Sequence, residues 1–126
     1  MKAYLKNYKQ APRKVRLVAN LIKGKSVVNA QLELKHLAKR ASLPMEKLLS
    51  SAIANAKVGG FDPENLIVKT VTVNKGLVMK RMMPRAFGRG APIHKKMCHV
   101  EIMLAESVAK VKKERKIKSK KVKAEK

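Results

Sequence analysis

Apolar residues recur at helical spacing in the first half of the chain. In the first such stretch, Val15, Val18 and Ile22 fall on one face of a helix, and basic residues occupy the other faces. Pro12 suits the first turn of this helix, because proline is favoured where the backbone N–H has no helical partner. Gly24 is predicted to end the helix as a left-handed cap residue.

Two further helices are predicted downstream. Ser26 is an N-cap candidate, and the apolar spacing that follows it predicts a second helix that runs to about Arg40. Ser42 opens a third helix, which has Pro44 in its first turn and ends at the glycine pair 59–60. This third stretch has the most regular periodicity in the chain, and its small residues favour close packing. We therefore expect it to form core rather than a functional site.

The second half of the chain changes to a strand pattern. Residues 66–73 are β-branched and apolar, and through 99–104 three aliphatic residues alternate with His99, Glu101 and Met103. Between these flanks, 83–92 holds two glycines and two prolines, a composition typical of a chain reversal. The pattern predicts a long antiparallel hairpin, whose arm covers about 75–99 and projects by roughly 30 Å. A short strand within 1–9 is expected to pair with the sheet at the root of this hairpin.

These elements predict an α+β protein. It has a small three-helix domain packed on a short antiparallel sheet, with a long protruding β-hairpin and a basic C-terminal tail. The chain of 126 residues is long enough for one domain, which we place at 1–106. The remaining segment, 107–126, is rich in lysine and has no aromatic residue. Such a segment cannot bury enough apolar surface to offset its ordering entropy, so we expect it to be disordered until RNA binds.

The charge balance narrows the range of partners. The chain contains 31 Lys and Arg against 8 Asp and Glu, a net charge of +23, and the arm has no acidic residue. Like charges at this density repel one another, so a polyanionic partner is expected. Nucleic acid is the first candidate and an anionic membrane surface the second, although no apolar run is long enough to span a bilayer. We expect no signal peptide, and no intrachain disulfide because Cys98 is the only cysteine; both favour the cytoplasm.

Enzyme chemistry is not indicated by the residues. The acidic residues are scattered along the chain, and no phosphate-binding glycine loop occurs. His94, Cys98 and His99 lie close in sequence, but a structural zinc site usually needs four ligands with recognisable spacing. Adjacent strand residues also point to opposite faces. We therefore predict no enzymatic activity, no metal and no cofactor.

Basic residues also cluster around the first helix. At the helix start their charge would add to free backbone N–H groups and attract phosphate, and a solvated polar face is the alternative explanation. Three binding classes stay open on this pattern. They are an RNA-binding protein, an architectural DNA-binding protein with β-arms, and a cationic membrane-surface protein. The DNA-binding class would use Pro84 or Pro92 as a wedge between base steps.

Three stretches of the sequence resemble one known family. They are PRKVRLVANLIKGK at 12–25, SAIANA at 51–56 and MKRMMPRAFGRG at 79–90. In this order and spacing they resemble the bacterial-type L-twenty-two family of large-subunit ribosomal proteins, over about 2–104. The resemblance implies a structural constituent of the large ribosomal subunit, whose globular domain lies at the subunit surface near the tunnel exit. It also implies early binding to several domains of the large ribosomal RNA, support of assembly, and a hairpin along the polypeptide exit tunnel. The family's hairpin tip is linked to nascent-chain stalling and macrolide sensitivity.

The residues and the resemblance together define a candidate site. Its RNA contacts are basic residues of the first helix region and of the arm: Arg13, Lys14, Arg16, Lys23, Lys25, Lys80, Arg81, Arg85, Lys95 and Lys96. Its tunnel-facing tip is Ala86, Phe87, Gly88, Arg89 and Gly90. The implied partners are large-subunit ribosomal RNA, neighbouring ribosomal proteins and the nascent polypeptide, in cytoplasmic ribosomes. No membrane partner and no homo-oligomer are expected.

The chain departs from the family pattern at three places. Family members usually have a basic residue at the position of Phe87, a serine at that of Ala11, and a more polar stretch at 91–93. Phe87 changes the electrostatics of the tip. Its ring is expected either to stack on an unpaired base or to pack over its own turn against Met83 or Ile93.

Overall fold

The computed structural model describes residues 1–107 as three helices packed on one antiparallel sheet. This architecture confirms the predicted α+β class and the predicted hairpin. The predicted tail lies outside the described residues except for Ser107, whose backbone N–H donates to the Asn65 carbonyl over 2.8 Å. In chain order the helices and strands are β1 Lys2–Tyr8, α1 Pro12–Ile22, α2 Val27–His36, α3 Ser42–Val58, β2 Leu66–Pro84 and β3 Gly90–Glu106, with short 3-10 turns at Pro63–Asn65 and Ala86–Gly88.

The sheet has β3 at its centre. The strand order is β1-β3-β2, and both pairings are antiparallel. β1 pairs with β3 from Lys2 opposite Met103 to Tyr8 opposite Cys98. The predicted first strand and its pairing at the root of the hairpin are therefore confirmed.

The core lies between the helices and one face of the sheet. Val100, Ile102 and Leu104 of β3 are buried, while the residues between them are half-buried, as the sequence alternation predicts. Ile22 of α1 and Leu49 of α3 are fully buried in the same cluster. A fully buried aliphatic side chain contributes about 1.5–3 kcal/mol, so this cluster holds the domain together. Among residues 1–107, no helix is both long and apolar enough to cross a membrane.

Most helix signals are confirmed. α1 begins at Pro12, and Gly24 follows it in the left-handed region with a φ of +80°. The Ser26 hydroxyl caps α2 by accepting from the Asn29 N–H over 3.4 Å. α3 ends at Val58, immediately before the predicted glycine pair.

The end of α2 differs from the prediction, whereas the predicted start of α3 at Ser42 is confirmed. α2 ends at His36 rather than near Arg40, because Leu37 leaves the helical region with φ −75° and ψ 112°. Ser42 is the first residue of α3, and its hydroxyl donates to the Leu34 carbonyl. This bond ties the last turn of α2 to the start of α3. The chain therefore reverses direction in a turn that contains Arg40, where the Ser42 N–H donates to the Lys39 carbonyl over 2.9 Å.

The arm leaves the domain as a two-stranded ribbon. Its paired residues run from Lys75 opposite Cys98 to Pro84 opposite Gly90. At about 3.3 Å per residue, the arm is therefore roughly 30 Å long. The reversal itself is narrower than the predicted 83–92, because both prolines stand in the paired ladder. Each strand of a two-stranded ribbon has a free edge, where proline is tolerated.

Two bulges lie at the base of the arm. β2 has an extra residue at 76–77 opposite Met97, and β1 has one at 6–7 opposite His99. Asn7 takes a φ of 53°, and its N–H donates to Nδ1 of His99 over 3.1 Å. Bulges bend a strand and increase its twist, so these two set the direction in which the arm leaves the sheet.

Candidate nucleic-acid interface

An open groove of about 670 Å³ lies where the arm leaves the domain. One wall is the base of the arm. The other wall combines the turn between β1 and α1, the first turn of α1, and the turn between α2 and α3. This basic groove is lined by Lys9, Gln10, Ala11, Lys14, Arg40, Met79, Arg81, His94, Lys95, Lys96 and Met97.

The basic groove is strongly positive. Six of its eleven described lining residues are Lys or Arg, and none of the eleven is acidic. Four of the six, Lys14, Arg81, Lys95 and Lys96, are residues that the sequence predicts as RNA contacts. All four are exposed, although they come from distant parts of the chain. Cations held this close repel one another, and a polyanion in the groove would relieve that repulsion.

The N-terminus of α1 faces this groove. Ala11 is the N-cap residue, Pro12 follows it, and no side chain within residues 1–107 caps the helix. A serine at the N-cap would accept from a first-turn N–H group, whereas alanine has no acceptor in its side chain. Pro12 has no N–H, and the Lys14 N–H donates to the Ala11 carbonyl over 3.0 Å, so the Arg13 N–H is the first-turn donor that is left to another acceptor. The departure from the family at Ala11 therefore leaves a helix end at which an anion can bind.

Arg40 is held at the groove by its backbone. The Tyr8 hydroxyl donates to the Arg40 carbonyl over 3.3 Å, which fixes the turn between α2 and α3 against β1. Burial raises the pKa of the Tyr8 phenol above its ordinary value, and the Arg40 charge opposes this rise only in part. The hydroxyl consequently stays protonated and remains a donor.

Sequence reasoning missed three groove residues: Lys9, Arg40 and His94. In a chain with 31 basic residues, no local pattern separates these three from solvated ones. Arg40 depends on the early end of α2, which places it in a turn. The one local sequence signal for the basic groove is Ala11, whose side chain cannot cap α1.

The side chain of Arg16 forms hydrogen bonds within the protein. Its guanidinium donates to the Val73 carbonyl from Nε over 3.2 Å and from a terminal nitrogen over 3.0 Å. Val73 lies on β2 just before the base of the arm, so Arg16 ties α1 to the root of the arm. Only the remaining N–H groups of this predicted RNA contact are open to a phosphate.

The other predicted contacts near α1 lie outside the basic groove. Lys25 forms an ion pair with Glu33, the one ion pair found within residues 1–107. Both side chains are about one-third exposed, at 38% and 35%, so the charge of Lys25 is partly neutralised. Arg13 and Lys23 are exposed, on α1 and just after it.

The arm carries charge on both of its faces. Lys80 stands opposite His94 and Arg81 opposite Ile93, and consecutive strand residues point to opposite faces. Arg85 starts the reversal, where its N–H donates to the Arg89 carbonyl over 2.8 Å. An RNA could therefore contact basic side chains on either side of the ribbon.

The tip of the arm presents an aromatic ring. Phe87 and Gly88 are both left-handed, with φ of 57° and 66°, a conformation that glycine adopts readily and phenylalanine rarely. The Phe87 ring is 99% exposed. The expected packing over its own turn against Met83 or Ile93 is therefore wrong, and the ring points into solvent at the end of the arm.

The cysteine and histidines of β3 have structural surroundings. Within residues 1–107, no group of three or more His, Cys, Asp or Glu side chains could hold a metal ion. Cys98 is buried with its Sγ 3.9 Å from the Tyr8 carbonyl, and burial raises the pKa of its thiol. A buried thiol with a raised pKa is a poor nucleophile. His99 is engaged with Asn7 at the bulge.

Several known proteins similar to this chain belong to one family. The sequence model of the family described as Ribosomal protein L22p/L17e matches residues 3–105. The large ribosomal subunit protein uL22 of Myxococcus xanthus is 45% identical over 108 residues, which cover 83% of this chain and 95% of the relative. The proteins of the same name from Mesoplasma florum and Acholeplasma laidlawii are each 48% identical over 106 residues, covering 83% of this chain and 95% and 96% of the relatives. Taken with the fold, these matches show that the chain belongs to the Ribosomal protein L22p/L17e family, a family of structural ribosomal proteins.

Proposed function

We propose that this protein is a structural constituent of the large ribosomal subunit, and that it binds large-subunit ribosomal RNA through the basic groove and the arm. The basic groove carries this proposal, because residues distant in sequence meet there to surround one opening with six cations. Relatives named as large-subunit proteins support the same location. The role is structural rather than enzymatic, in cytoplasmic ribosomes and beside neighbouring ribosomal proteins.

RNA in the basic groove would hold the arm against the domain. A backbone that passes between Lys14 on α1 and Lys95 on β3 contacts both walls of the groove. These contacts neutralise phosphates without reading bases, as suits the shape-led recognition of folded RNA. An isolated two-stranded ribbon is marginally stable in water, so RNA on its two faces would also stabilise the arm during assembly.

The tip would line the polypeptide exit tunnel. Phe87 and Arg89 lie at the far end of the arm, roughly 30 Å from its base and beyond Arg81 of the basic groove, and both are exposed. The ring can stack on an unpaired base or contact a passing nascent polypeptide, and the guanidinium of Arg89 can bind phosphate. The groove and the arm base would thus anchor the protein, while the tip meets the tunnel contents.

The proline wedge, on which the alternative of an architectural DNA-binding protein depended, does not lie at the end of the arm. That alternative required a proline at the end of the arm as a wedge between base steps. Pro84 stands opposite Gly90 and Pro92 opposite Met82, both within the paired ladder, and Phe87 occupies the end. Membership in a ribosomal family further favours RNA.

Salt-dependent RNA binding tests the proposal. Arg81→Gln and Lys95→Gln each remove one groove charge, and the matched control Lys57→Gln removes an exposed charge near the end of α3. Affinity for a large-subunit RNA fragment is measured at several salt concentrations. Each groove variant should lower the salt slope by about one unit, and the control should change it little.

Two results would contradict this function. One is an equal slope for the groove variants and Lys57→Gln, since it would mean that the groove is not where phosphates bind. The other is loss of the tagged protein from large subunits that are sedimented through a high-salt cushion.

A further inference from the structure

The outer edge of β1 is an open strand edge. The Met1 carbonyl accepts from the Leu104 N–H over 3.0 Å, which fixes the alternation of the ladder. In an antiparallel pair only every second residue bonds to the partner strand, so the backbone groups of Lys2 and Tyr4 point away from β3. In agreement, the Lys2 carbonyl accepts from the Asn55 side chain over 3.0 Å. The backbone N–H and carbonyl of Tyr4 therefore face outward, just beyond the part of the edge that Asn55 covers.

The opposite edge of the sheet is covered by the chain itself. On β2, the Val68 carbonyl accepts from the Gly24 N–H over 2.8 Å, and the Val68 N–H donates to the Lys25 carbonyl over 2.9 Å. Farther along the same edge, the Arg16 guanidinium binds the Val73 carbonyl. Folded proteins usually protect exposed strand edges, because such edges pair readily with other chains. The chain therefore closes the β2 edge itself, whereas the outward backbone groups of Tyr4 stay available to a partner strand.

An apolar groove borders the open edge on its helix side. This β1 groove has a volume of about 330 Å³ and is lined mainly by Tyr4, Leu5, Leu43, Pro44 and Leu48. Two of these side chains are largely exposed, Leu43 at 67% and Tyr4 at 59%. Alternate side chains of a strand added beside β1 would enter this groove.

The charges around the edge indicate which side chains a partner strand would carry. Lys2 and Lys6 are exposed on either side of Tyr4, on the same face of β1, and Lys47 lines the β1 groove. Glu101 of β3 stands opposite Tyr4 on that face, but the three lysines leave the edge positive. Opposite charges on neighbouring strands stabilise a pair, and like charges destabilise it. A second copy of β1 would place lysines opposite lysines, as would this chain's own lysine-rich C-terminal segment. Acidic side chains fit this face.

We propose that the β1 edge binds an extended segment of another protein as a fourth strand, and that this segment alternates apolar with acidic residues. Its backbone bonds to Tyr4, its apolar side chains enter the β1 groove beside Leu43, and its acidic side chains meet Lys2 and Lys6. The interaction is independent of RNA binding, because no described residue lines both the β1 groove and the basic groove.

The test uses a short peptide that alternates valine and glutamate, with binding to the full-length protein followed by fluorescence anisotropy. Any acidic peptide is attracted to a chain of net charge +23, so the control is a scrambled peptide of the same composition. The alternating peptide should bind at least about tenfold more tightly, the factor that corresponds to 1.4 kcal/mol. It should also slow hydrogen exchange at the Tyr4 amide.

Variants localise the binding to the β1 groove. Leu43→Asp should weaken the alternating peptide about tenfold, whereas Leu17→Asp, at a leucine of α1 that is 70% exposed, should not. Lys6→Glu, at an exposed position, should weaken it as well. Circular dichroism verifies that each variant is folded, and two independent positions keep the test valid if one variant fails to fold.

Four results would overturn the proposal. Equal affinity for the two peptides, or unchanged affinity in both Leu43→Asp and Lys6→Glu, would show that the attraction is only general charge. Protection of the Tyr4 amide by a large-subunit RNA fragment, lost in Leu43→Asp, would assign the edge to RNA. Sedimentation as a dimer that Leu43→Asp dissociates would assign it to a second copy.

Discussion

Replacing Arg16 with alanine separates its structural role from its contact with RNA. The guanidinium donates twice to the Val73 carbonyl and so joins α1 to β2 at the root of the arm. Without it, the Val73 carbonyl loses both of these donors. The matched control is Arg13→Ala, which removes the same charge from an exposed position on the same helix.

The expected loss follows from these hydrogen bonds. A bond from a charged donor contributes about 1.5–3 kcal/mol, but partial exposure of the guanidinium reduces this contribution. We therefore expect Arg16→Ala to lower the free energy of unfolding by about 1–2 kcal/mol. For a domain of this size, each 1 kcal/mol lowers Tm by about 4–8 °C. Arg13→Ala should change stability by less than about 0.5 kcal/mol, as is usual for exposed positions.

Urea unfolding of the RNA-free protein, followed by circular dichroism, measures this difference. The two variants carry the same net charge, so general repulsion cannot account for a gap between them. Equal unfolding midpoints would refute the inference that Arg16 supports the arm, and would leave it as a phosphate contact only. A larger loss in Arg13→Ala would contradict the geometry of the α1 surface.

Three further predictions follow from buried or strained positions. Cys98 should be alkylated slowly at neutral pH, because burial raises the pKa of its thiol in the folded state. The protonated thiol therefore contributes to the free energy of unfolding below the ordinary pKa of 9.0, and this contribution is lost as the pH rises above that value. Urea midpoints near pH 8 and pH 10 should differ less in Cys98→Ala, and rapid native-state alkylation would contradict the burial. Gly76→Val should lower the free energy of unfolding by about 1–3 kcal/mol, because a Cβ there meets the backbone nitrogen of Cys98 at 3.3 Å; an unchanged urea midpoint would count against this close approach. Phe87→Lys should change stability by less than about 0.5 kcal/mol while it alters nascent-chain stalling or macrolide response in cells, and a destabilised arm would mean that the ring packs in solution.

Local chemistry made much of the fold predictable. The starts of α1 and α2 depend on Pro12 and Ser26, which act within one helical turn of themselves. The buried alternation of β3 follows from the twofold period of a strand. These features need only neighbouring residues, so a single sequence contains them.

The features that were missed depend on contacts between distant residues. α2 ends early because the carbonyl of Leu34 accepts a hydrogen bond from the hydroxyl of Ser42, eight positions further along the chain. The basic groove brings residues 9–14 against residues 94–97, and composition alone cannot show which lysines meet there. Arg16 has the sequence appearance of an exposed helix charge, yet its partner is a backbone carbonyl 57 residues away.

The distribution of charge makes the two proposed surfaces compatible. Along β3, both acidic residues, Glu101 and Glu106, lie on the side of Cys98 away from the tip, whereas the arm from 75 to 99 has none. A polyanion is therefore drawn to the arm and the basic groove, where no carboxylate opposes it. Tyr4 lies opposite Glu101, in the part of the sheet that belongs to the globular domain rather than to the arm. An RNA bound along the arm would therefore leave the β1 edge open to another protein. If RNA and the alternating peptide instead competed for the free protein, the two surfaces would have to overlap, contrary to their separate lining residues.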